Sequence, residues 1–168
     1  QEIQNREKLP EEESNKRAIA IAIASLKYAM LKQDVNKTIV FNKEEAMQFE
    51  GNTGPYLLYT YARAKSILRK AKSRSKKLLI SEISEKEKNL ISKLSNFPQV
   101  VESAYIHLAP NLIANYAYEL AQIFNEFYHI EKVIGSEKEL FRLSLVESVS
   151  HVLKNALTLL GISIIEQM

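Results

Sequence analysis

The sequence predicts an all-α protein, an antiparallel helical bundle, on three observations. Helix breakers are scarce, with 4 Gly and 4 Pro in 168 residues, which favours long helices. Apolar residues near the end of the chain recur at spacings of three and four, through Leu143, Val146, Val149, Leu153, Ala156, Leu157 and Leu160, the stripe of a helix that needs a partner surface. Two segments, Ser84 with Glu87 and Ser136 with Glu139, carry the capping-box pattern of a helix start. The length suits one domain with its own core, built from about five or six helices joined by short loops.

The elements follow in order. Residues 1–13 read as a polar leader or linker, and residues 14–168 as the helical domain. Ser14 is expected to cap a first helix running through Tyr28 to Leu31, with Glu11, Glu12 and Glu13 suited to its positive end. The alternation of Ala and Ile from Ala18 to Ala24 has a strand-like period, but alanine is poor in strands and no turn signals flank it, so it reads as helix. A short extended piece over Thr38 to Phe41 precedes a brief helical turn from Lys43 to Phe49. In GNTGP, Asn52 or Thr53 caps a long helix, expected from Gly54 to Leu79, with Pro55 in its first turn where a missing N–H costs nothing. Pro98 and Pro110 divide residues 84–131 into three helices, because the residue before a proline avoids helical dihedrals. The last helix is expected from Ser136 to Leu160, with Gly161 ending it.

Composition restricts the function classes. The net charge of +3 is too small for a global polycation, so any nucleic-acid signal lies in where the charges sit. The absence of cysteine excludes disulfides and thiolate metal sites. The longest apolar run, AIAIAIASL, is too short to span a bilayer, so the expectation is a cytoplasmic protein without a membrane partner. His107, His129 and His151 are 22 residues apart and lack ligand spacing, so no metal site is expected. No phosphate-binding glycine loop and no activated nucleophile is visible.

One constellation stands out. On a helix beginning near Thr53, Tyr56, Tyr59 and Arg63 share a face at spacings of three and four, while Tyr61 points elsewhere. Downstream, residues 63–77 hold Arg63, Lys65, Arg69, Lys70, Lys72, Arg74, Lys76 and Lys77 with no acidic residue among them. Aromatic faces beside a positive stripe are what unpaired RNA bases and their phosphates require. By residue type alone the tyrosines could equally line a core rim and the basic run a solvated face. Farther on, Tyr116, Leu120, Phe124 and Phe127 form an apolar helix face with Asn125 and Tyr128 at its edge.

FEGNTGPYLLYTYAR with SILRKA, then NLIANYAYELAQIFNEFYH, then LVESVSHVLKNALTLLGI, resemble the C-terminal anticodon-binding (DALR) domain of arginyl-tRNA synthetases, class I aminoacyl-tRNA synthetases. The resemblance covers residues 16–168 and implies a bundle that grips the anticodon stem and loop of arginine tRNA. It implies that a separate, preceding catalytic domain uses ATP and arginine, and that residues 1–13 lead from it. The HIGH and KMSKS-like motifs of that domain are absent from this sequence, so this chain alone is expected to bind without aminoacylating and to hold no cofactor.

The family's anticodon-contacting positions fall on Tyr56, Tyr59 and Arg63, the face that spacing selects independently. The resemblance adds Tyr128 and the terminal Met168 as residues packing around loop bases, and gives Asn125 the task of holding its helix end in place. Arg69, Lys70 and Arg74 are candidate phosphate contacts. Every arginine codon has G at its centre, so every arginine anticodon has C there, and a pocket for one cytosine is expected, with Arg63 donating to O2 or N3. Many relatives have Gln where Leu58 stands, and the Asp-Ala-Leu-Arg tetrapeptide that names the domain is missing, with Leu112, Ile113 and Ala114 keeping only its apolar character. A monomer is expected. The rival reading is a helical protein-interaction module that docks through its basic helix.

Overall fold

The structure, a computed structural model, describes residues 10–71 and 82–168. Among these residues there are helices and no strand: α1 (Glu11–Leu31), α2 (Lys43–Ala46), α3 (Gly54–Lys70), α4 (Glu85–Ser95), α5 (Phe97–Ile106), α6 (Pro110–Ile130) and α7 (Glu139–Leu159). The all-α bundle is the class the sequence predicts. No helix of the described residues is long and apolar enough to cross a membrane.

The bundle is organised around α3 and α6. Helix α3 packs against α1, α6 and α7, and α6 packs against α4, α5 and α7. The core runs through Tyr28, Leu57, Leu58, Leu90, Leu120, Phe124, Phe127, Val146, Val149, Leu153 and Leu157, all fully buried. The α7 stripe read from the sequence is buried along its whole length. Leu58 is among the fully buried side chains.

Several helix ends differ from expectation. Helix α1 starts at Glu11 after the extended residue Pro10, and Ser14 lies inside the first turn with its N–H donating to the Pro10 carbonyl at 3.0 Å. No side chain caps this end; Glu11, Glu12 and Glu13 occupy the turn where the helix dipole favours carboxylates. The turn after Asn42 spans only Lys43–Ala46, with the Asn42 side chain accepting from the Glu45 N–H. Helix α3 ends at Lys70, where Ala71 turns to extended backbone; the like charges of Lys65 and Arg69, four residues apart, weaken its last turn. The remainder of the helix expected up to Leu79 lies outside the described residues.

The Ser84–Glu87 capping box forms with both of its hydrogen bonds. The Ser136–Glu139 box does not: Glu139 accepts from the Gly135 N–H at 2.6 Å, Ser136 donates to the Val133 carbonyl at 3.0 Å, and α7 begins only at Glu139. Gly135 adopts φ +74°, and that turn draws its N–H onto the carboxylate. Helix α7 closes as expected at Gly161, φ +66°, with Ile162 N–H donating to Leu157 carbonyl at 2.8 Å and Gly161 N–H to Thr158 carbonyl at 2.9 Å, a Schellman closure.

Two contacts hold this frame. At Gly54, a Cβ would stand 2.4 Å from the Ala24 carbonyl oxygen and 2.7 Å from its carbon, so α1 and α3 meet backbone to backbone where only glycine fits. At the other end of the bundle Glu87 is fully buried in a charged cluster. Its Oε1 accepts from Arg142 Nε at 2.8 Å, and its Oε2 from the Ser84 N–H at 2.8 Å and from Lys138 Nζ at 3.2 Å. Arg142 also donates to the Lys132 carbonyl at 2.8 Å and to the Glu131 carboxylate. One carboxylate thereby ties the start of α4 to α7 and, through Arg142, to the α6–α7 loop. Burial works against its ionisation, but the Ser84 N–H and the hydrogen bonds from Arg142 and Lys138 outweigh it and hold the Glu87 carboxyl below its ordinary value of 4.5.

Two outcomes follow. Gly54→Ala is expected to lower unfolding free energy by about 2 kcal/mol, through overpacking against rigid backbone, as measured by urea denaturation. Glu87→Gln is expected to cost about 3 kcal/mol, because Arg142 and Lys138 lose their shared counter-charge. In the unsubstituted chain the depressed Glu87 pKa gives stability that is complete above 4.5 and lost as pH falls through the lower folded value. Glu87→Gln should flatten that acid limb; an unchanged limb would assign it to other carboxylates.

Candidate nucleic-acid interface

The candidate face is built from the first three turns of α3 and the last two of α6. Thr53 starts α3: its Oγ1 accepts from the Tyr56 N–H at 3.3 Å and donates to the Gln48 carbonyl at 2.6 Å. Tyr28 holds the approach from below, its hydroxyl facing the Asn52 side-chain oxygen at 2.6 Å and the Ala114 carbonyl of α6 at 2.9 Å. These bonds fix where α3 begins and so which residues share a face with Tyr56.

The structure brings Tyr56, Arg63 and Tyr128 together. Asn125 is the connector: its Nδ2 donates to the Tyr56 hydroxyl at 2.9 Å and to Thr60 Oγ1 at 3.2 Å, and its Oδ1 accepts from Arg63 Nη1 at 3.4 Å. The Arg63 guanidinium lies over the Tyr128 ring, 4.7 Å from its centroid. Tyr128 stacks in turn on the buried Phe124 ring, at 6.4 Å and 25°. Tyr56 meets Tyr118 edge-on at 5.8 Å. Burial raises the Tyr56 pKa, and the hydrogen bond from Asn125 offsets part of that rise.

Asn125 has a different task from the one the family pattern implies. It lies inside α6, five residues before Ile130, and bonds to side chains of α3 across the interface. Its sequence signal was slight, a polar residue at the edge of an apolar face, whose partners are 62 to 69 residues away. Thr60, fully buried, was missed outright, since a threonine inside a helix is unremarkable until its neighbour across the interface is known.

The other predicted residues are arranged as follows. Tyr59 is 40% exposed on the outer side of α3, an open ring. Tyr61 is buried, as its spacing requires. Met168 is 39% exposed at the end of a tail whose Ile162 and Ile165 are buried in the core. That tail is tied to α3 by Arg69, whose Nη1 donates to the Glu166 carbonyl at 3.2 Å, and to α1 by Lys27 donating to the Gly161 carbonyl. Arg69 and Lys70 are exposed. Arg74 lies outside the described residues, with Lys72, Lys76 and Lys77 of the basic run.

A half-buried phenol, an arginine over an aromatic ring and an open tyrosine one turn away form a surface suited to flat, hydrogen-bonding ligands. Comparison with known proteins gives it a context. Residues 57–168 match the family model described as DALR anticodon binding domain. An arginine–tRNA ligase of Pyrococcus abyssi is 42% identical over 167 residues, which cover 95% of this chain and 27% of that protein. An arginine–tRNA ligase of Flavobacterium psychrophilum is 40% identical over 151 residues, 88% of this chain and 25% of that protein. Among solved structures, Thermus thermophilus arginyl-tRNA synthetase matches with a TM-score of 0.87 at 34% identity, over 95% of this chain and 28% of that one. Arginyl-tRNA synthetase from Plasmodium falciparum matches with a TM-score of 0.84 at 31% identity, over 91% of this chain and 28% of that one. The chain thus spans 25% to 28% of the length of these relatives.

Proposed function

This chain belongs to the DALR anticodon binding domain family, and on that premise we propose that it binds the anticodon stem and loop of arginine tRNA as part of an ATP-dependent arginine–tRNA ligase. The observation that carries the reading is the Tyr56–Arg63–Asn125–Tyr128 cluster, a hydrogen-bonding and stacking surface across α3 and α6. Tyr59 offers a base-stacking ring, Tyr128 backs the guanidinium, and Met168 adds an apolar contact at the same family positions. Arg69 and Lys70, both exposed, serve as contacts to the strand's phosphates, Arg69 keeping donors beyond the one turned to Glu166, and Arg74 is a further candidate by its charge and its place in the sequence. ATP and arginine are handled by the remainder of the ligase, which works in the cytoplasm, and the domain acts as a monomer.

The test is binding of the purified chain to an arginine anticodon stem-loop and to the same loop with the central C replaced, at fixed near-physiological salt. A preference of about tenfold for C, roughly 1.4 kcal/mol, with a steep fall of affinity as salt rises, is the expected result. Weak binding that ignores both the central base and the salt would favour a protein-docking helix instead. Arg63→Ala is expected to weaken binding to the C-centred loop by about tenfold or more, through loss of a charge-assisted hydrogen bond; unchanged affinity would remove Arg63 from the site.

A further inference from the structure

The inference rests on the anticodon-loop reading and concerns the direction of each hydrogen bond in the cluster. A hydroxyl has a single proton to donate. That of Thr60 goes to the Tyr56 carbonyl, at 2.9 Å, so toward Asn125 Thr60 presents only lone pairs. A guanidinium only donates. The Asn125 amide therefore has one orientation that satisfies both neighbours, with Nδ2 on Thr60 Oγ1 at 3.2 Å and Oδ1 on Arg63 Nη1 at 3.4 Å. Its second N–H reaches the Tyr56 oxygen at 2.9 Å. The Tyr56 oxygen is thus an acceptor inside the cluster, and its own proton points outward. Burial raises the Tyr56 pKa, so the phenol keeps that proton at neutral pH.

Seen from solvent, the cluster offers donors: the Tyr56 O–H and the Arg63 N–H groups not turned to Asn125. We infer that Asn125, its amide oriented by Thr60, is a positioning residue that fixes this donor–donor polarity and so selects a base edge with two adjacent acceptors. On the Watson–Crick edge only cytosine has such a pair, O2 and N3. Uracil sets an N3–H donor beside O2, adenine an amino group beside N1, and guanine an N1–H beside O6; the guanine acceptor pair, N7 and O6, lies on its other edge. The selectivity of the site for cytosine would then come from a residue that need not touch the base.

The test compares the unsubstituted chain with Asn125→Asp and Asn125→Leu, each checked for helix content, on stem-loops with C or U at the centre of the anticodon. A carboxylate only accepts, so in Asn125→Asp the Tyr56 proton turns inward and its oxygen faces the base. The C-over-U preference is expected to fall from about tenfold to about one in Asn125→Asp, and to about threefold in Asn125→Leu, where the phenol turns freely. A structural role alone would weaken both loops together, and an unchanged ratio in either folded variant would overturn the inference while leaving the anticodon reading in place. No preference in the unsubstituted chain would instead remove the reading on which it rests. Without any RNA, both Asn125 side-chain amide protons should exchange more slowly than those of exposed asparagines, and Thr60→Val should speed them; exchange at the exposed rate in the unsubstituted chain would refute the wiring.

Discussion

The close approach of α1 and α3 at Gly54 is the constraint on which the rest depends. Because no side chain separates the two backbones there, α3 sits deep enough for Leu57, Leu58 and Ala64 to reach the core, and for Thr60 to meet Asn125 of α6. A larger residue would push α3 outward, and an interior packed at crystal-like density absorbs little of such a shift. The turn before it is shaped to permit the approach. Gly51 takes φ +77° and Thr53 caps the helix, so Pro55 falls where its lack of an N–H is harmless.

Two polar clusters lie at helix interfaces of this bundle, and both are satisfied. No buried side-chain nitrogen or oxygen among the described residues lacks a partner, in keeping with the cost of an unpaired one. The cluster around Glu87 is built on charged side chains and joins α4 to α7 and the α6–α7 loop. The cluster around Asn125 is mostly neutral, joins α3 to α6, and opens onto solvent at Tyr56 and Arg63. The first is enclosed and serves the frame. The second is half-open, and its exposed donors are arranged before any ligand arrives, which spares a binding partner the ordering cost of those side chains.

Much of this was legible in the sequence because it depends on short-range rules. Helical spacing sent Tyr61 into the core, as observed, and Tyr56 and Arg63, seven residues apart, both reach Asn125, while Tyr59 stands exposed on the outer side of α3. The Ser84–Glu87 box formed because both partners lie within one turn. The Ser136–Glu139 box has the same pattern and failed because Gly135 offered its own N–H to the Glu139 carboxylate. Ser14 likewise lost the cap position to a start at Pro10, since three carboxylates in the first turn stabilise that end without a side-chain cap.

The sequence by itself determined the helices, the faces that Tyr56 and Arg63 share, and the family pattern, because each of these follows from neighbours within a turn or from local motifs. Only the tertiary structure decided that Asn125 rather than a nearer residue holds Arg63, that Thr60 orients its amide, and that Glu87 is buried against Arg142 and Lys138. Those bonds link residues 51 to 69 positions apart in the chain. A polar side chain at a helix edge has many possible partners, and the choice among them is made by the packing of whole helices.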